Sequence, residues 1–137
     1  MATVSWSTTI QVAGGPTVSV SEGPFLAEAI DRIEVIVSAD EKDLKVDLQP
    51  GPASGILLLL INSDQYGDVK DTKKSITFKV SDGSSDSKPI KLSGPQFYSG
   101  DTVLLLEKEP RSLKFTNTTE APAKIEIFIA RDATPTP

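Results

Sequence analysis

The feature that most constrains the fold is a period-two alternation of apolar and polar residues, which runs through nearly the whole chain. Thr3–Val12 shows it clearly, with Val4, Trp6, Ile10 and Val12 on one side of an extended chain. No segment longer than about ten residues keeps a helical period. Turn-forming residues interrupt the alternation about every 8–12 residues. This spacing predicts an all-β fold, a two-sheet antiparallel β-sandwich of jelly-roll or immunoglobulin-like type with about nine or ten short strands.

Shorter runs of the same kind predict the remaining strands. Arg32–Val37 and Leu44–Leu48 flank a short polar connection and are predicted to form an antiparallel hairpin. Further strands are expected at 17–21, 55–62, 75–80, 89–93, 102–107, 112–116 and 124–130, with 81–88 as an exposed hairpin loop and 24–30 irregular or extended. We therefore expect one domain over residues 1–131 and a flexible tail rich in proline and threonine over 132–137.

Two absences limit the chemistry that the side chains offer. The 137 residues include no histidine and no cysteine. The commonest general base near neutral pH, any thiol nucleophile and any Cys/His zinc site are therefore excluded. The sequence also lacks a Gly-x-Ser-x-Gly elbow, a Ser-x-x-Lys pair and a phosphate-binding glycine loop. These observations predict a protein that is not an enzyme and holds no resident cofactor.

Charge and hydropathy indicate which partners to expect. The net charge of −5 disfavours nucleic acid and anionic membrane surfaces, because both attract clustered basic residues. The longest apolar run, Ile56–Ile61, is far shorter than the roughly 20 residues needed to cross a bilayer. The first residues lack the basic and apolar regions of a secretory signal. The sequence thus predicts a soluble protein, cytoplasmic or virion-associated, with neither a nucleic-acid nor a membrane partner.

One cluster of aspartates and one short motif are candidate sites for a metal ion and for a modification. Asp64, Asp68 and Asp71 offer oxygen ligands suited to calcium, although a solvated polar loop explains the same residues. The triplet Asn117-Thr118-Thr119 matches the acceptor pattern for N-glycosylation, and we interpret it as a turn because no export signal precedes it. Calcium is therefore a possible ligand, and no resident metal is expected.

The run Ile56–Ile61 is apolar on both faces of an extended strand. An exposed leucine forgoes about 1.5–3 kcal/mol of burial free energy, so both faces must be covered. Either the chain itself covers them, with Pro24–Ile30 as the candidate cover, or one face meets another subunit. The second interpretation predicts a homo-oligomer. Its interface residues would be Leu57, Leu59, Ile61 and Phe128, joined by the loop residues Phe97 and Tyr98, which alternatively plug the end of the sandwich.

These observations favour a non-enzymatic structural module that self-associates and docks on a larger protein assembly. In architecture and composition the chain resembles the small β-sandwich decoration and tail-associated proteins of bacteriophage particles, which are often acidic, poor in cysteine and made without a signal peptide. The resemblance implies a place on a virion-like particle. The alternative is a carbohydrate- or calcium-dependent binding module that uses the 63–74 loop together with Phe97 and Tyr98.

Overall fold

The computed structural model describes residues 2–49, 55–67, 70 and 73–132. Within them the chain forms ten β-strands and one 3-10 helix. The strands are β1 (Ala2–Gln11), β2 (Thr17–Ala27), β3 (Ala29–Val37), β4 (Leu44–Asp47), β5 (Ile56–Ser63), β6 (Ile76–Ser81), β7 (Ile90–Lys91), β8 (Gln96–Ser99), β9 (Ser112–Asn117) and β10 (Ala123–Arg131), and the helix spans Gly100–Leu106. No helix among the described residues has both the length and the apolar character to span a lipid bilayer.

Eight of the strands form two packed sheets, with the orders β3-β10-β5-β8 and β4-β9-β6-β7. The strand pairs are nested along the chain: β3 pairs with β10, β4 with β9, β5 with β8 and β6 with β7, all antiparallel. A long hairpin of nested pairs that is rolled into two sheets is a jelly roll. The predicted two-sheet antiparallel sandwich is confirmed, and its strand order is of the jelly-roll type.

The predicted hairpin between Arg32–Val37 and Leu44–Leu48 is wrong. Both segments are strands, but β3 belongs to one sheet and pairs with β10, whereas β4 belongs to the other and pairs with β9. The short connection therefore crosses from sheet to sheet, and Asp40 and Asp43 take positive φ values within it. Period-two alternation and a short loop fit both a hairpin and a connection between two sheets, so the sequence pattern did not discriminate between these arrangements.

The segment predicted as a strand at 102–107 is instead the 3-10 helix Gly100–Leu106. At its start, the Ser99 N–H donates to the Thr102 hydroxyl at 2.7 Å, and that hydroxyl donates back to the Ser99 carbonyl at 2.8 Å. Val103 and Leu106, three residues apart, point into the core, as the three-residue period of this helix requires. Leu104 and Leu105 between them are 76% and 78% exposed.

The main core lies between the two larger sheets. Phe78 and Phe115 are paired across β6 and β9 with ring centroids 6.0 Å apart. Ile125, Ile127 and Ile129 of β10 belong to the same core cluster from the opposite sheet. All five are fully buried, because alternate residues of each strand face the other sheet.

A β-bulge changes which face the leucines of β5 occupy. Ala130 pairs with Leu58 and Arg131 with Ile56, so Leu57 is an extra residue in β5. As a result Ile56 and Leu59 both belong to the main core, while Leu57 and Leu58 both belong to a second apolar cluster outside it. Simple alternation had placed Leu57 and Leu59 on one face.

The C-terminal end of the described region is attached to this sandwich. Of the tail predicted at 132–137, residues 133–137 lie outside the described residues. Asp132 donates its backbone N–H to the Gly55 carbonyl at 3.0 Å, which continues the pairing of β10 with β5. The remaining two strands, β1 and β2, form a separate two-stranded sheet.

Candidate functional site

The candidate site is the N-terminal ribbon, defined here as β1, β2 and the turn between them (residues 2–27). The strands pair antiparallel from Ala2–Ala27 at one end to Gln11–Thr17 at the other. The Gly15 N–H donates to the Val12 carbonyl at 2.9 Å and closes the turn. The ribbon is therefore a long hairpin, with one end attached to the sandwich.

Its base, where the chain passes into β3, is packed on the outer face of β5 and β10. Val4 and Ala27 are buried against Leu58 and Ala130 in the second apolar cluster. Four partly buried side chains surround this cluster: Trp6, Phe25, Leu57 and Phe128. The ribbon base therefore covers the outer face of β5. The sequence left open whether the chain itself or another subunit covers this face, and the structure shows a cover from the chain itself that includes part of the 24–30 segment.

One aromatic contact extends this cover to the edge strand β8. The Trp6 and Phe97 rings meet at a centroid distance of 4.9 Å and an interplanar angle of 62°. This edge-to-face arrangement is the favourable geometry for aromatic pairs, because it places the positive ring edge on the negative face. Trp6, the single tryptophan of the chain, thus marks the attached end of the ribbon.

A bulge separates the base from the rest of the ribbon. Val4 pairs with Phe25, and Trp6 pairs with Glu22, so Ser5 lies opposite two residues of β2. Gly23, one of these two, has a φ of +111°, and a Cβ there would lie 2.9 Å from both the Ser5 Cα and the Val4 carbonyl oxygen. Only glycine fits this position without strain.

Beyond the bulge the ribbon is exposed on both faces, and every residue of 7–21 is exposed. Ile10 lies opposite Val18, and Thr8 lies opposite Val20, so these aliphatic side chains share one face. The alternate face consists of serines and threonines, including the pair Thr9 and Ser19, whose hydroxyl oxygens are 3.3 Å apart. Four aliphatic residues here are between 51% and 58% exposed: Ile10, Val12, Val18 and Val20.

The ribbon also differs from the sandwich in charge. Glu22 is the only charged residue of the sequence before Glu28. By contrast, three of the four edge strands of the larger sheets carry charges, which in natural sheets discourage pairing with another chain. These charges are Asp31, Arg32 and Glu34 on β3, Lys45 and Asp47 on β4, and Lys91 on β7. Neither outer edge of the ribbon is paired within the described residues.

A cleft of about 510 Å³ lies where the ribbon base meets the sandwich. Trp6, Phe25 and Leu57 form its apolar wall, and Glu22 and Asp101 contribute carboxylates. Its other lining residues are Leu26, Ser99, Gly100 and Asp132. No group of three acidic residues among the described part of the chain is arranged to hold a metal ion. The cleft therefore combines aromatic surface with hydrogen-bond acceptors.

Of the predicted interface residues, two are unavailable to any partner. Leu59 and Ile61 have no exposed surface, because both point into the main core between the sheets. Their assignment to a subunit interface is corrected accordingly. Leu57 and Phe128 are partly buried under the ribbon base.

Phe97 and Tyr98 lie on strand β8, not in a loop, and point in opposite directions. Phe97 is 38% exposed beside Trp6 on the outer face. Tyr98 packs against the main core and donates its hydroxyl hydrogen to the Gln96 side-chain oxygen. Burial raises the pKa of the Tyr98 hydroxyl above its ordinary value. Tyr98 is therefore a half-buried residue of the sandwich edge, whereas Phe97 is exposed.

The structure gives partial information on the calcium candidates. Asp64 accepts the backbone N–H of Lys124 at 2.9 Å and thereby joins the end of β5 to β10. Asp68 and Asp71 lie outside the described residues. The hydrogen bond of Asp64 matches a structural role at a strand end.

Asn117 of the predicted glycosylation pattern is fully buried. Its amide donates to the carbonyls of Val37 and Ala121 at 3.0 and 2.9 Å, and its oxygen accepts the N–H of Thr119 at 2.9 Å. The residue therefore closes a turn and crosses between sheets, as the turn interpretation requires, and its amide is inaccessible for modification.

Sequence reasoning placed Ile10 and Val12 on an apolar face but did not single out the ribbon as a site. The available signal was the long uncharged stretch before Glu22. The comparisons offer no relative to refine this assignment: no family model matches the chain, and no curated protein or solved structure is significantly similar to it.

Proposed function

We propose that this protein is a non-enzymatic assembly module that self-associates through its N-terminal ribbon and docks on a larger protein particle. The observation that carries the proposal is the ribbon beyond the Gly23 bulge. It is exposed on both faces, presents four aliphatic side chains, and contains no charge between Ala2 and Ser21.

The physical argument concerns the stability of such a hairpin. A two-stranded sheet is marginally stable in water unless a third strand or another apolar surface supports it. Residues 7–21 have no such support among the described residues, since all of them are exposed. A partner that covers Ile10 and Val18 would supply the missing support and remove exposed apolar surface from water.

The charges on the sandwich surface also support an assignment of the partner contact to the ribbon. Across the second sheet Lys45, Lys114 and Lys79 lie in register on neighbouring strands, an arrangement of like charges that is unfavourable alone. Each has an aspartate nearby, at nitrogen–oxygen distances of 3.6, 2.8 and 3.7 Å in the same order. The sandwich surface thus carries lysines whose charges are balanced by nearby aspartates, as suits a surface that faces water. The ribbon lacks such charge pairs among its exposed residues 7–21.

The fold and the composition of the chain bear on the proposed docking to a larger protein particle. Jelly-roll domains build viral capsids, and they also occur in lectins and cupins, so the fold alone does not decide among these roles. The absence of histidine and cysteine from the sequence, the uncharged ribbon and the resemblance to bacteriophage decoration and tail-associated proteins all favour a structural role.

The test is the molar mass of the full chain in solution, measured by light scattering during size-exclusion chromatography. We expect an oligomer for the unmodified chain. Val18→Lys, which places a charge on the apolar face, should give a monomer. Ser19→Lys, the matched control, adds the same charge on the opposite face of the same strand and should keep the oligomer.

Two results would contradict the proposal. The first is a monomer for the unmodified chain at every concentration up to the solubility limit. The second is equal dissociation by Val18→Lys and Ser19→Lys, which would show that charge alone, and not the apolar face, controls the mass.

A second candidate function is favoured by the cleft at the ribbon base. Trp6 and Phe25 offer rings for stacking on a sugar, and Glu22 and Asp101 offer acceptors for its hydroxyl groups. A saccharide panel titrated against Trp6 fluorescence tests this carbohydrate-binding alternative, because Trp6 is the single tryptophan. Saturable quenching that Asp101→Asn weakens supports it, and unchanged emission with every saccharide rejects it.

A further inference from the structure

A cleft of about 330 Å³ lies on the second sheet, beside the start of β9 between β4 and β6. Its described lining residues are Lys45, Asp47, Ser81, Gly83, Arg111, Ser112 and Lys114. Three of these side chains carry a positive charge and one carries a negative charge, although the whole chain has a net charge of −5. This cleft, here called the basic cleft, therefore reverses the overall charge locally.

Arg111 is fixed at the basic cleft by backbone pairing on both sides. Its N–H donates to the Ser81 carbonyl at 2.9 Å, and its carbonyl accepts the Leu48 N–H at 2.9 Å. Gly83 has a φ of +95°, and a Cβ there would lie 2.8 Å from the Arg111 Nη1. Glycine at this position therefore lets the guanidinium lie against the backbone of the loop.

Two donors at the cleft have no partner within the part of the chain that the structure describes. The half-buried Arg111 guanidinium makes neither a hydrogen bond nor an ion pair with those residues. Ser112 is only 2% exposed, yet its hydroxyl makes no hydrogen bond with them either. Because buried polar groups in folded proteins are nearly always hydrogen-bonded, these donors suit an acceptor that the described chain does not supply.

The two lysines of the cleft add further donors. Lys45 and Lys114 lie directly opposite each other on β4 and β9. Lys114 contacts Asp86 at 2.8 Å and Lys45 contacts Asp47 at 3.6 Å, but an ammonium group has three donors, so each lysine retains donors for another acceptor. The exposed pair of Lys45 and Asp47 is of the kind that contributes little to stability, so its loss on ligand binding would cost little.

The number of donors selects the kind of ligand. An arginine can donate two parallel hydrogen bonds to an oxyanion, and Ser112 and the two lysines raise the number of donor-bearing side chains to four. A carboxylate offers two oxygens, whereas an esterified phosphate offers three strong acceptor oxygens. We infer that the basic cleft binds a phosphate or sulfate group, with Arg111 as its principal contact. The cleft is separate from the N-terminal ribbon, so this inference does not depend on self-association.

The three arginines of the chain allow the site to be observed directly. Each arginine side chain gives one Nε–H signal in a proton–nitrogen correlation spectrum, and Arg111→Gln identifies the signal of Arg111. We would titrate inorganic phosphate, methyl phosphate, sulfate and acetate separately into the full chain at constant ionic strength, because added salt alone screens charges. We expect a saturable shift of the Arg111 signal with phosphate or sulfate, and weaker binding of acetate.

Two variants test the role of Arg111, with the backbone amide signals of Ser112 and Lys114 as the readout. A hydrogen bond to a charged group contributes about 1.5–3 kcal/mol, so Arg111→Gln should weaken phosphate binding at least about tenfold. Arg111→Lys keeps the charge and loses the paired donors, so it should also weaken binding, and it replaces Arg111→Gln if that variant does not fold. Arg32→Gln, which removes an exposed arginine from the other sheet, is the matched control and should bind as the unmodified chain does.

Methyl phosphate distinguishes the source of the anion. Binding as tight as that of inorganic phosphate assigns the cleft to an esterified group, and failure to bind assigns it to the free ion; both results support the inference. The absence of a saturable shift with phosphate and sulfate overturns it, and so does acetate binding as tight as that of phosphate. Equal weakening by Arg32→Gln and Arg111→Gln also overturns it, because that result shows general attraction of anions without a site.

Discussion

Truncation of Phe25 tests whether the ribbon is attached to the sandwich as a separately stable unit. A fully buried phenylalanine loses about 3–5 kcal/mol on truncation to alanine. Phe25 is only partly buried in the cluster with Val4 and Ala27, so Phe25→Ala should cost about 2 kcal/mol. Because about 1.4 kcal/mol corresponds to a factor of ten, the population of the detached ribbon should rise about 30-fold.

Native-state hydrogen exchange measures this population strand by strand. In Phe25→Ala, the amides of the ribbon base should exchange about 30-fold faster, while those of β6 and β9 should keep their rates, since the buried apolar side chains of these two strands belong to the main core. Val18→Lys serves as the common background, so that self-association does not protect the ribbon. Leu26→Ala is the matched control, because Leu26 is 61% exposed beside Phe25.

A particular pattern of rates would refute this reasoning. If β6 and β9 lost as much protection as the ribbon base, the ribbon and the sandwich would unfold as one unit. If Leu26→Ala accelerated ribbon exchange as much as Phe25→Ala, burial in the second cluster would not be what holds the ribbon.

Three further outcomes are expected. Phe115→Ala should lower the free energy of unfolding by about 3–5 kcal/mol in denaturant titrations, whereas Leu104→Ala, on the exposed side of the 3-10 helix, should change it by less than about 0.5 kcal/mol. The hydrogen bond from Lys114 lowers the pKa of Asp86 in the folded state. The ionised Asp86 therefore stabilises the fold above its unfolded pKa near 4, and this stabilisation is lost as the pH falls through the folded pKa. Asp86→Asn should reduce the acid dependence of the melting temperature, and an unchanged dependence would contradict the pairing of Asp86 with Lys114. Asn117→Ala should cost about 1–3 kcal/mol because it removes the side-chain donor to the buried Val37 carbonyl, and a melting temperature equal to that of the unmodified chain would show that this bond contributes nothing.

The sequence by itself determined the class of secondary structure and the composition of each strand face. Alternation in Thr3–Val12 predicted the apolar side of β1 correctly, and the same rule placed Phe78 and Phe115 in the core. The sequence also showed the uncharged stretch before Glu22, although its meaning depended on learning that residues 7–21 extend beyond the sandwich.

Tertiary structure alone decided which strands are neighbours. A period of two assigns the faces of a strand but contains no information about its sheet, so β3 and β4 were wrongly joined into a hairpin. The bulge at Leu57 likewise depends on the register with β10, and it redirected the leucines of β5. In a jelly roll the partners are nested across the whole chain, and such long-range pairings are set by the packing of the complete core, which no local window of sequence contains.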